Sequence, residues 1–212
     1  GVAAVVRMSW TAATADLARR DPAFGAVIER AGPAKLRTKD ADGPFGALVR
    51  AIVYQQLAGP AAAAIHGRVR ALVPGTLTPE SLLALPEEAL RGAGLSAAKT
   101  ASIRDLATKA AAGELALTNL GRVTDDDIVA RLSTVRGIGR WTAEMFLLFE
   151  LRRPDVWPTG DLGVREGWRL VHALEEQPTP AELALLGDPL RPIRSVAAWY
   201  CWQAVHIARG QL

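Results

Sequence analysis

The sequence is poor in the residues that bind metals and form disulfides, with one cysteine, Cys201, and three histidines in 212 residues. One cysteine cannot form an internal disulfide, and it cannot supply the four thiolates of an iron–sulfur cluster. His66, His172 and His206 lack the spacing of zinc ligands and are interpreted as ordinary helix residues. We therefore expect a protein that requires no cofactor, has no iron–sulfur cluster and works in the reducing cytoplasm.

Long hydrophobic runs are also missing, because Gly, Pro or charge interrupts each run before about 18 residues. The opening segment G-V-A-A-V-V is apolar but lacks a basic leader. We expect no membrane-spanning segment and no secretion signal. Hydrophobic residues make up 50% of the chain, which at this length is enough for one large core or two small ones.

Alternating runs of β-branched and aromatic residues are scarce, whereas Ala, Leu, Arg and Glu are abundant. This pattern predicts an all-α fold. Helices are expected near residues 12–20, 22–31, 44–57, 60–72, 79–84, 86–91, 96–112, 125–133, 140–151, 162–174, 180–186 and 193–208.

Several helix starts carry a threonine before proline or acidic residues, as at Thr78, Thr124 and Thr179. In the last two, an acid three residues later predicts a capping box. The run Asp125–Asp127 could also bind a metal, but a helix N-terminus favours negative charge, so we interpret these acids as part of the helix start.

Two Gly/Pro turns, at residues 41–44 and 152–155, suggest domain boundaries. We expect one helical domain over residues 41–151 and a second formed by residues 1–40 with 152–212. Trp10, Trp157, Trp168 and Trp199 are expected in the cores.

The formal net charge is +3 and the sequence pI is about 9.4, which makes nucleic acid a partner to consider. Five arginines fall in one short span, at positions 131, 136, 140, 152 and 153. The alternative is a solvated helix face without a ligand.

The stretch V-R-G-I-G-R-W-T-A-E, residues 135–144, lies between two predicted helices. Glycines tolerate positive φ and carry no Cβ, so Gly137 and Gly139 predict a tight hairpin whose amides face outward at a helix start. Such a turn binds anions, and with Arg140 beside it the natural anion is a nucleic-acid phosphate. A plain turn between packed helices is the alternative.

This stretch, with V-W-P-T-G-D-L-G-V-R after it, resembles the helix-hairpin-helix DNA glycosylases that carry a Gly/Pro-rich loop and a trailing aspartate. The resemblance covers roughly residues 44–207 and implies two helical bundles with a cleft between them. Asp161 lies 22 residues past Gly139 and corresponds to the catalytic carboxylate of the family. Without this motif, an N-cap after Gly160 would be the better interpretation of Asp161.

The branch of the family is indicated by the residue after Arg140. Members that also cut the strand carry a lysine there, whereas this chain has Trp141. Together with R-P-I-R-S-V-A-A-W-Y-C-W near the C-terminus, this is most similar to the AlkA-type branch, 3-methyladenine DNA glycosylase II. The resemblance places Trp141, Met145 and Trp202 in the base pocket, although Met145 replaces a tyrosine and Gly160 replaces a second acid.

The family also inserts a side chain into the duplex when the base is flipped out. A-I-V-Y-Q-Q-L-A-G-P-A-A places Gln56 there, with Leu57 and a plain core-helix role as alternatives. The resemblance assigns further DNA contacts to Arg136, Gly137, Ile138, Gly139, Arg140 and Thr142. It also implies a structural Na⁺ or K⁺ bound by the backbone carbonyls of Ser133, Val135 and Ile138.

The expected function is therefore that of a monomeric, monofunctional glycosylase that removes alkylated purines from double-stranded DNA and has no lyase activity. We expect it in the cytoplasm, on the nucleoid when bound to DNA. Two alternatives are a glycosylase for other damaged bases and a non-catalytic helix-hairpin-helix DNA-binding protein.

Overall fold

A computed structural model describes residues 9–211, so the opening G-V-A-A-V-V segment lies outside the described residues. In this part of the chain no strand is present, which confirms the all-α prediction. The twelve α-helices within these bounds are α1 (Trp10–Arg20), α2 (Gly25–Ala31), α3 (Gly43–Tyr54), α4 (Gly59–Ala71), α5 (Pro79–Leu83), α6 (Glu87–Gly92), α7 (Ala97–Ala111), α8 (Asp125–Leu132), α9 (Arg140–Phe149), α10 (Leu162–Val171), α11 (Pro180–Gly187) and α12 (Arg194–Ala208).

The predicted helices all form, with three corrections at their ends. α3 ends at Tyr54 and not at residue 57, because Gln56 adopts a left-handed φ of 54°. The segment expected as a helix over 22–31 begins as a 3₁₀ turn, Pro22–Phe24. α10 ends at Val171, and Ala173 beyond it has φ of 50°. A positive φ cannot continue a right-handed helix, so two of these ends are set by single residues.

The threonine caps form, but one predicted capping box is wrong. Thr179 and Glu182 cap each other reciprocally, and so do Thr78 and Ser81. Thr124 accepts only from the Asp127 amide, because an aspartate side chain is one methylene shorter than glutamate. Within residues 9–211 no group of three or more His, Cys, Asp or Glu side chains could hold a metal, so the run at 125–127 is the acidic first turn of α8.

The described chain divides into two compact units. The central unit, Thr38–Leu151, contains α3 to α9. The terminal unit combines residues 9–37 with 152–211 and contains α1, α2 and α10 to α12. No helix in the described range is long and apolar enough to cross a membrane.

The core of the terminal unit forms around α12, which buries residues on all sides of the helix. Such a helix needs neighbours on every face, and α1, α2 and α10 pack against it. Trp157, Trp168 and Trp199 are buried as predicted, whereas Trp10 is only partly buried. His172 was expected as an ordinary helix residue, but it is the C-cap that follows α10, where it stacks on Trp168 and bonds to Asp21 at 2.8 Å.

The backbones of α10 and α12 approach each other closely at Gly167. A Cβ added to Gly167 would lie 2.0 Å from the carbonyl oxygen of Cys201 and 2.5 Å from its Cα. These are backbone atoms, which cannot move aside like the end of a side chain. The two helices therefore pack backbone to backbone only because residue 167 is glycine.

We predict that Gly167→Ala destabilises the protein by at least about 2 kcal/mol, because the methyl group must push two helices apart. Gly25→Ala is the matched control in the same unit, since an added Cβ there meets nothing within 4 Å and φ is −54°. The control should be neutral or stabilising by up to about 1 kcal/mol. Denaturant unfolding measures both changes, and equal stabilities for the two variants would contradict the packing argument.

Candidate functional site

Asp161 lies at the start of α10, where it is both buried and hydrogen-bonded. Its Oδ1 accepts from the Val164 amide at 2.8 Å and from the Trp202 indole nitrogen at 2.9 Å. Only 8% of the residue is exposed. Asp161 is therefore the N-cap that the residue pattern alone suggested, and the cap fixes the plane of its carboxyl group.

The loop before Asp161 is held by the start of α12. Arg194 donates to both carboxylate oxygens of Asp155, at 2.7 and 2.9 Å. Ser195 Oγ donates to the carbonyl of Arg153 at 2.6 Å and accepts from the Val156 amide at 2.8 Å. The stretch V-W-P-T-G-D-L-G-V-R is thus bonded to the C-terminal stretch R-P-I-R-S-V-A-A-W-Y-C-W, and α12 sets the course of the chain toward Asp161.

A second glycine of α10, Gly163, leaves room for the Trp202 ring beside Asp161. A Cβ on Gly163 would lie 2.8 Å from Cδ1 of the Trp202 indole and 3.1 Å from Asp161 Oδ1. Gly163 and Gly167 are four residues apart and so share one face of α10. Trp202 was predicted as a stacking ring, and it also orients the carboxyl group.

The stretch around Gly137 and Gly139 forms the predicted hairpin between α8 and α9, but only one glycine needs its special backbone. Gly137 has φ of +80°, and a Cβ there would lie 2.4 Å from Ser102 Oγ. Gly139 is the N-cap of α9 with φ of −97°, and an added Cβ meets nothing within 4 Å. The expectation of a special φ at both positions is therefore corrected, and Gly139 leaves open space outside the hairpin.

The side chains of the hairpin divide into exposed and buried groups. Arg136 and Gly139 are exposed, and Arg140 has a side chain that is 69% exposed although its Nε donates to Glu144 at 3.0 Å. Ile138 is only 3% exposed, and its amide donates to the Val135 carbonyl.

Thr142 is 6% exposed and its hydroxyl accepts from Gln55 Nε2 at 3.3 Å. Its side chain faces the protein, so it supports the hairpin from inside. No side chain caps α9 at Gly139, which leaves the first amides of this helix toward the hairpin surface.

The remaining predicted side chains lie in the central unit as well. Trp141, in the first turn of α9, is 50% exposed, and Met145 one turn later is partly buried. Gln56 and Leu57 follow α3 in an exposed turn, with Leu57 39% exposed. The core-helix alternative for Gln56 is therefore wrong.

The chain matches the family model of the HhH-GPD superfamily base excision DNA repair proteins over residues 49–192. It is 34% identical over 175 residues to DNA-3-methyladenine glycosylase 1 of Schizosaccharomyces pombe, covering 81% of this chain and 77% of that protein. The chain belongs to the HhH-GPD superfamily.

Two solved structures are similar to this HhH-GPD protein. The Schizosaccharomyces pombe 3-methyladenine DNA glycosylase in complex with abasic DNA has a TM-score of 0.79 and 32% identity, covering 90% of this chain and 94% of that chain. The DNA-3-methyladenine glycosidase of Bacillus halodurans has a TM-score of 0.83 and 37% identity, covering 93% and 91%.

A cavity of about 720 Å³ in this HhH-GPD chain is lined by residues of the hairpin and of α7. The predicted cation ligands Ser133, Val135 and Ile138 all line it. Their carbonyl oxygens are suitable donors for Na⁺ or K⁺, and the Val135 carbonyl, which accepts from the Ile138 amide at 3.1 Å, keeps a second lone pair. Backbone carbonyl oxygens are the type of donor that a monovalent cation takes, and the cation itself stays a prediction.

Four supporting residues of the site were missed by sequence reasoning: Gly163, Arg194, Ser195 and Gln55. Only Gly163 could have been predicted from the sequence, because the Gly-x-x-x-Gly spacing in α10 is typical of close helix packing. The other three act through partners more than 35 residues away in the chain, which no local pattern predicts.

Proposed function

We propose that this chain is a DNA-3-methyladenine glycosylase that releases alkylated purines from double-stranded DNA by hydrolysis. The observation that carries the proposal is Asp161, whose carboxyl group is oriented by Val164 and Trp202 at the start of α10. Membership of the HhH-GPD superfamily and the names of the similar glycosylases support it.

The proposed chemistry follows from the charge of the damaged base. A methyl group on N3 or N7 of a purine makes the base cationic, so it leaves with the electrons of the C1′–N bond and becomes neutral without a general acid. The sugar then carries positive charge, which the Asp161 carboxylate stabilises in a buried site. Water adds to C1′ and loses a proton, which leaves an abasic site and the free base.

We assign recognition of the cationic base to aromatic side chains and to the polarisable side chain of Met145. An aromatic face attracts a cation by roughly 0.5–2 kcal/mol, so Trp202, which lies beside Asp161, would give a useful but limited preference, and the family resemblance assigns the same kind of contact to Trp141. Met145 supplies a polarisable contact. Most of the discrimination comes from the leaving group, because a neutral purine does not depart without a proton.

Reaching C1′ requires the nucleotide to leave the base stack. The exposed turn at Gln56 and Leu57 is the element proposed to fill the gap, with Gln56 as the inserted side chain. Its left-handed backbone ends α3 and turns both side chains outward.

The hairpin is proposed to hold the DNA backbone without reading its sequence. The backbone amides of Gly139 and of the uncapped first turn of α9 donate hydrogen bonds to a phosphate, and Arg136 and Arg140 add positive charge. Gly137 and Ile138 shape the turn, and Thr142 supports it. A monovalent cation on Ser133, Val135 and Ile138 would add positive charge next to the phosphate.

Three further features belong to the proposal. Trp141 stands where a lysine would form a Schiff base, and an indole cannot attack C1′, so the enzyme leaves the abasic strand intact. We propose that the protein acts as a monomer. It works in the cytoplasm and on the nucleoid when bound to DNA.

Asp161→Asn is predicted to slow base release at least about 100-fold while binding to an abasic duplex is retained. Asparagine is an equally good N-cap, and its amide oxygen can accept from Val164 and Trp202. The variant therefore removes the charge and keeps the fold. Single-turnover release of 7-methylguanine measures the effect, and near-wild-type release by folded Asp161→Asn would refute the catalytic role.

The wild-type protein is predicted to release 3-methyladenine and 7-methylguanine from defined duplexes, with little action on 8-oxoguanine or thymine glycol. The product strand should stay uncut, and borohydride should trap no protein–DNA adduct. Release of neutral oxidised bases alone would favour the glycosylase for other damage. Binding without any release would favour the non-catalytic alternative.

Gly139→Thr is predicted to weaken binding to damaged and undamaged duplex alike, because phosphate contacts carry no base information. Threonine caps a helix about as well as glycine and adopts the φ of −97°, so stability should be unchanged. Gly137→Ala is the contrasting variant, since its methyl group meets Ser102 and should lower stability too. Fluorescence anisotropy at several salt concentrations measures the affinities. A loss confined to damaged duplex would assign the hairpin to base recognition.

A further inference from the structure

One face of α7 contacts both loops that the proposed function assigns to DNA. Lys99, Ser102, Asp105 and Lys109 are spaced by three, three and four residues, which places them in one row along the helix. Each of the four touches either the turn after α3 or the hairpin, all within the central unit.

Lys99 holds the turn that carries Gln56. Its Nζ donates to the carbonyls of Val53 at 2.7 Å and Gln55 at 2.6 Å, so it satisfies the last turn of α3 where the helix stops. Partial burial lowers the pKa of the Lys99 ammonium group, because water is removed from around its charge. The residue that follows, Gln56, is the one with left-handed backbone.

Asp105 and Lys109 hold the hairpin. Oδ2 of Asp105 accepts from the Arg136 amide at 2.8 Å and from Lys109 Nζ at 2.8 Å. The same Nζ donates to the Thr134 carbonyl at 2.8 Å, which closes a network over three residues of the turn. The Arg136 amide, and then Lys109, lower the pKa of the Asp105 carboxyl group, so it stays ionised at neutral pH.

The two loops are also joined directly. Gln55 Nε2 donates to the Gly137 carbonyl at 2.9 Å, while its own carbonyl is the acceptor of Lys99. Gly137 in turn rests on Ser102 of α7. Each loop is therefore bonded to α7, and Gln55 adds one hydrogen bond between them.

We infer that α7 is the frame that sets the spacing between the inserted side chain and the phosphate-binding hairpin, with Lys99 and Asp105 as its positioning residues. The inference rests on the proposed function for the identity of the two loops. It assigns Lys99 to base flipping and Asp105 to duplex binding, in each case through the protein groups that the side chain holds in place.

Variants of the two positioning residues are expected to impair different steps, base release for Lys99 and duplex binding for Asp105. Lys99→Met should leave the affinity for undamaged duplex within about twofold and lower single-turnover release of 7-methylguanine about tenfold, because Gln56 is no longer presented. Asp105→Asn should weaken binding to undamaged and abasic duplex equally, by about tenfold, and leave release at saturating enzyme near the wild-type rate. Lys109→Met should behave as Asp105→Asn does and serves if that variant is unstable.

Arg104→Met is the matched control on the same helix. Arg104 donates to the Leu85 carbonyl at 3.2 Å, a contact of the same kind that reaches neither loop. It should leave affinity and release within about twofold of wild type, even where its melting temperature falls. If all the variants changed affinity and release in step, or no more than Arg104→Met, α7 would be a structural helix only and the inference would fail.

Hydrogen exchange on the free protein distinguishes a failure of the inference about α7 from a failure of the proposed function. Asp105→Asn should accelerate exchange at the Arg136 amide, and Lys99→Met should accelerate it around residues 55–58, in each case relative to Arg104→Met. Faster exchange with a wild-type protein that releases no methylated base would refute the proposed function and keep α7 as the frame of both loops. Unchanged exchange at both places would refute the inference even if the wild-type protein is an active glycosylase.

Discussion

The backbone contact of α10 with α12 at Gly167 is the constraint on which the candidate active site depends. Because no Cβ separates the helices there, α12 passes close enough for Trp202 to donate its indole N–H to Asp161. Gly163, one turn earlier, leaves room for that ring. The same α12 begins with Arg194, which anchors the loop leading to Asp161 through Asp155. One helix thus fixes a carboxyl group that belongs to another, and rigid support of this kind is what electrostatic catalysis requires.

The central unit uses the same principle for a different task. Gly137 rests on Ser102 because it has no Cβ, and the turn around it is bonded to Asp105 and Lys109. The exposed groups of the hairpin are therefore supported from beneath by buried Ser102 and by the partly buried Asp105 and Lys109. Such support suits a ligand that is bound by its backbone and not by its sequence. The family to which the chain belongs repairs DNA, and a hairpin held from below is consistent with that work.

Asp161 had two interpretations from the sequence, and the structure shows one of them. It is the N-cap of α10, whose Oδ1 accepts from the Val164 amide, while its catalytic role stays a prediction. The stacking role of Trp202 also stays a prediction, and the structure adds the indole N–H that it donates to Asp161. Gln56 was placed within a helix, but the helix ends at Tyr54, because Gln56 has left-handed backbone, and Lys99 binds the carbonyls of Val53 and Gln55 at this end.

The sequence by itself determined the all-α fold, most helix starts, the position of the hairpin and the place of Asp161 as the N-cap of α10. Those features depend on helical periodicity, on caps three residues apart and on motif spacing, all of which act along the chain. The tertiary structure alone decided which groups hold the site. Trp202 bonds to Asp161 across 41 residues, Arg136 to Asp105 across 31 and Lys99 to Gln55 across 44. Such contacts depend on how helices pack in space, and that packing is a property of many side chains together, which no short stretch of sequence records.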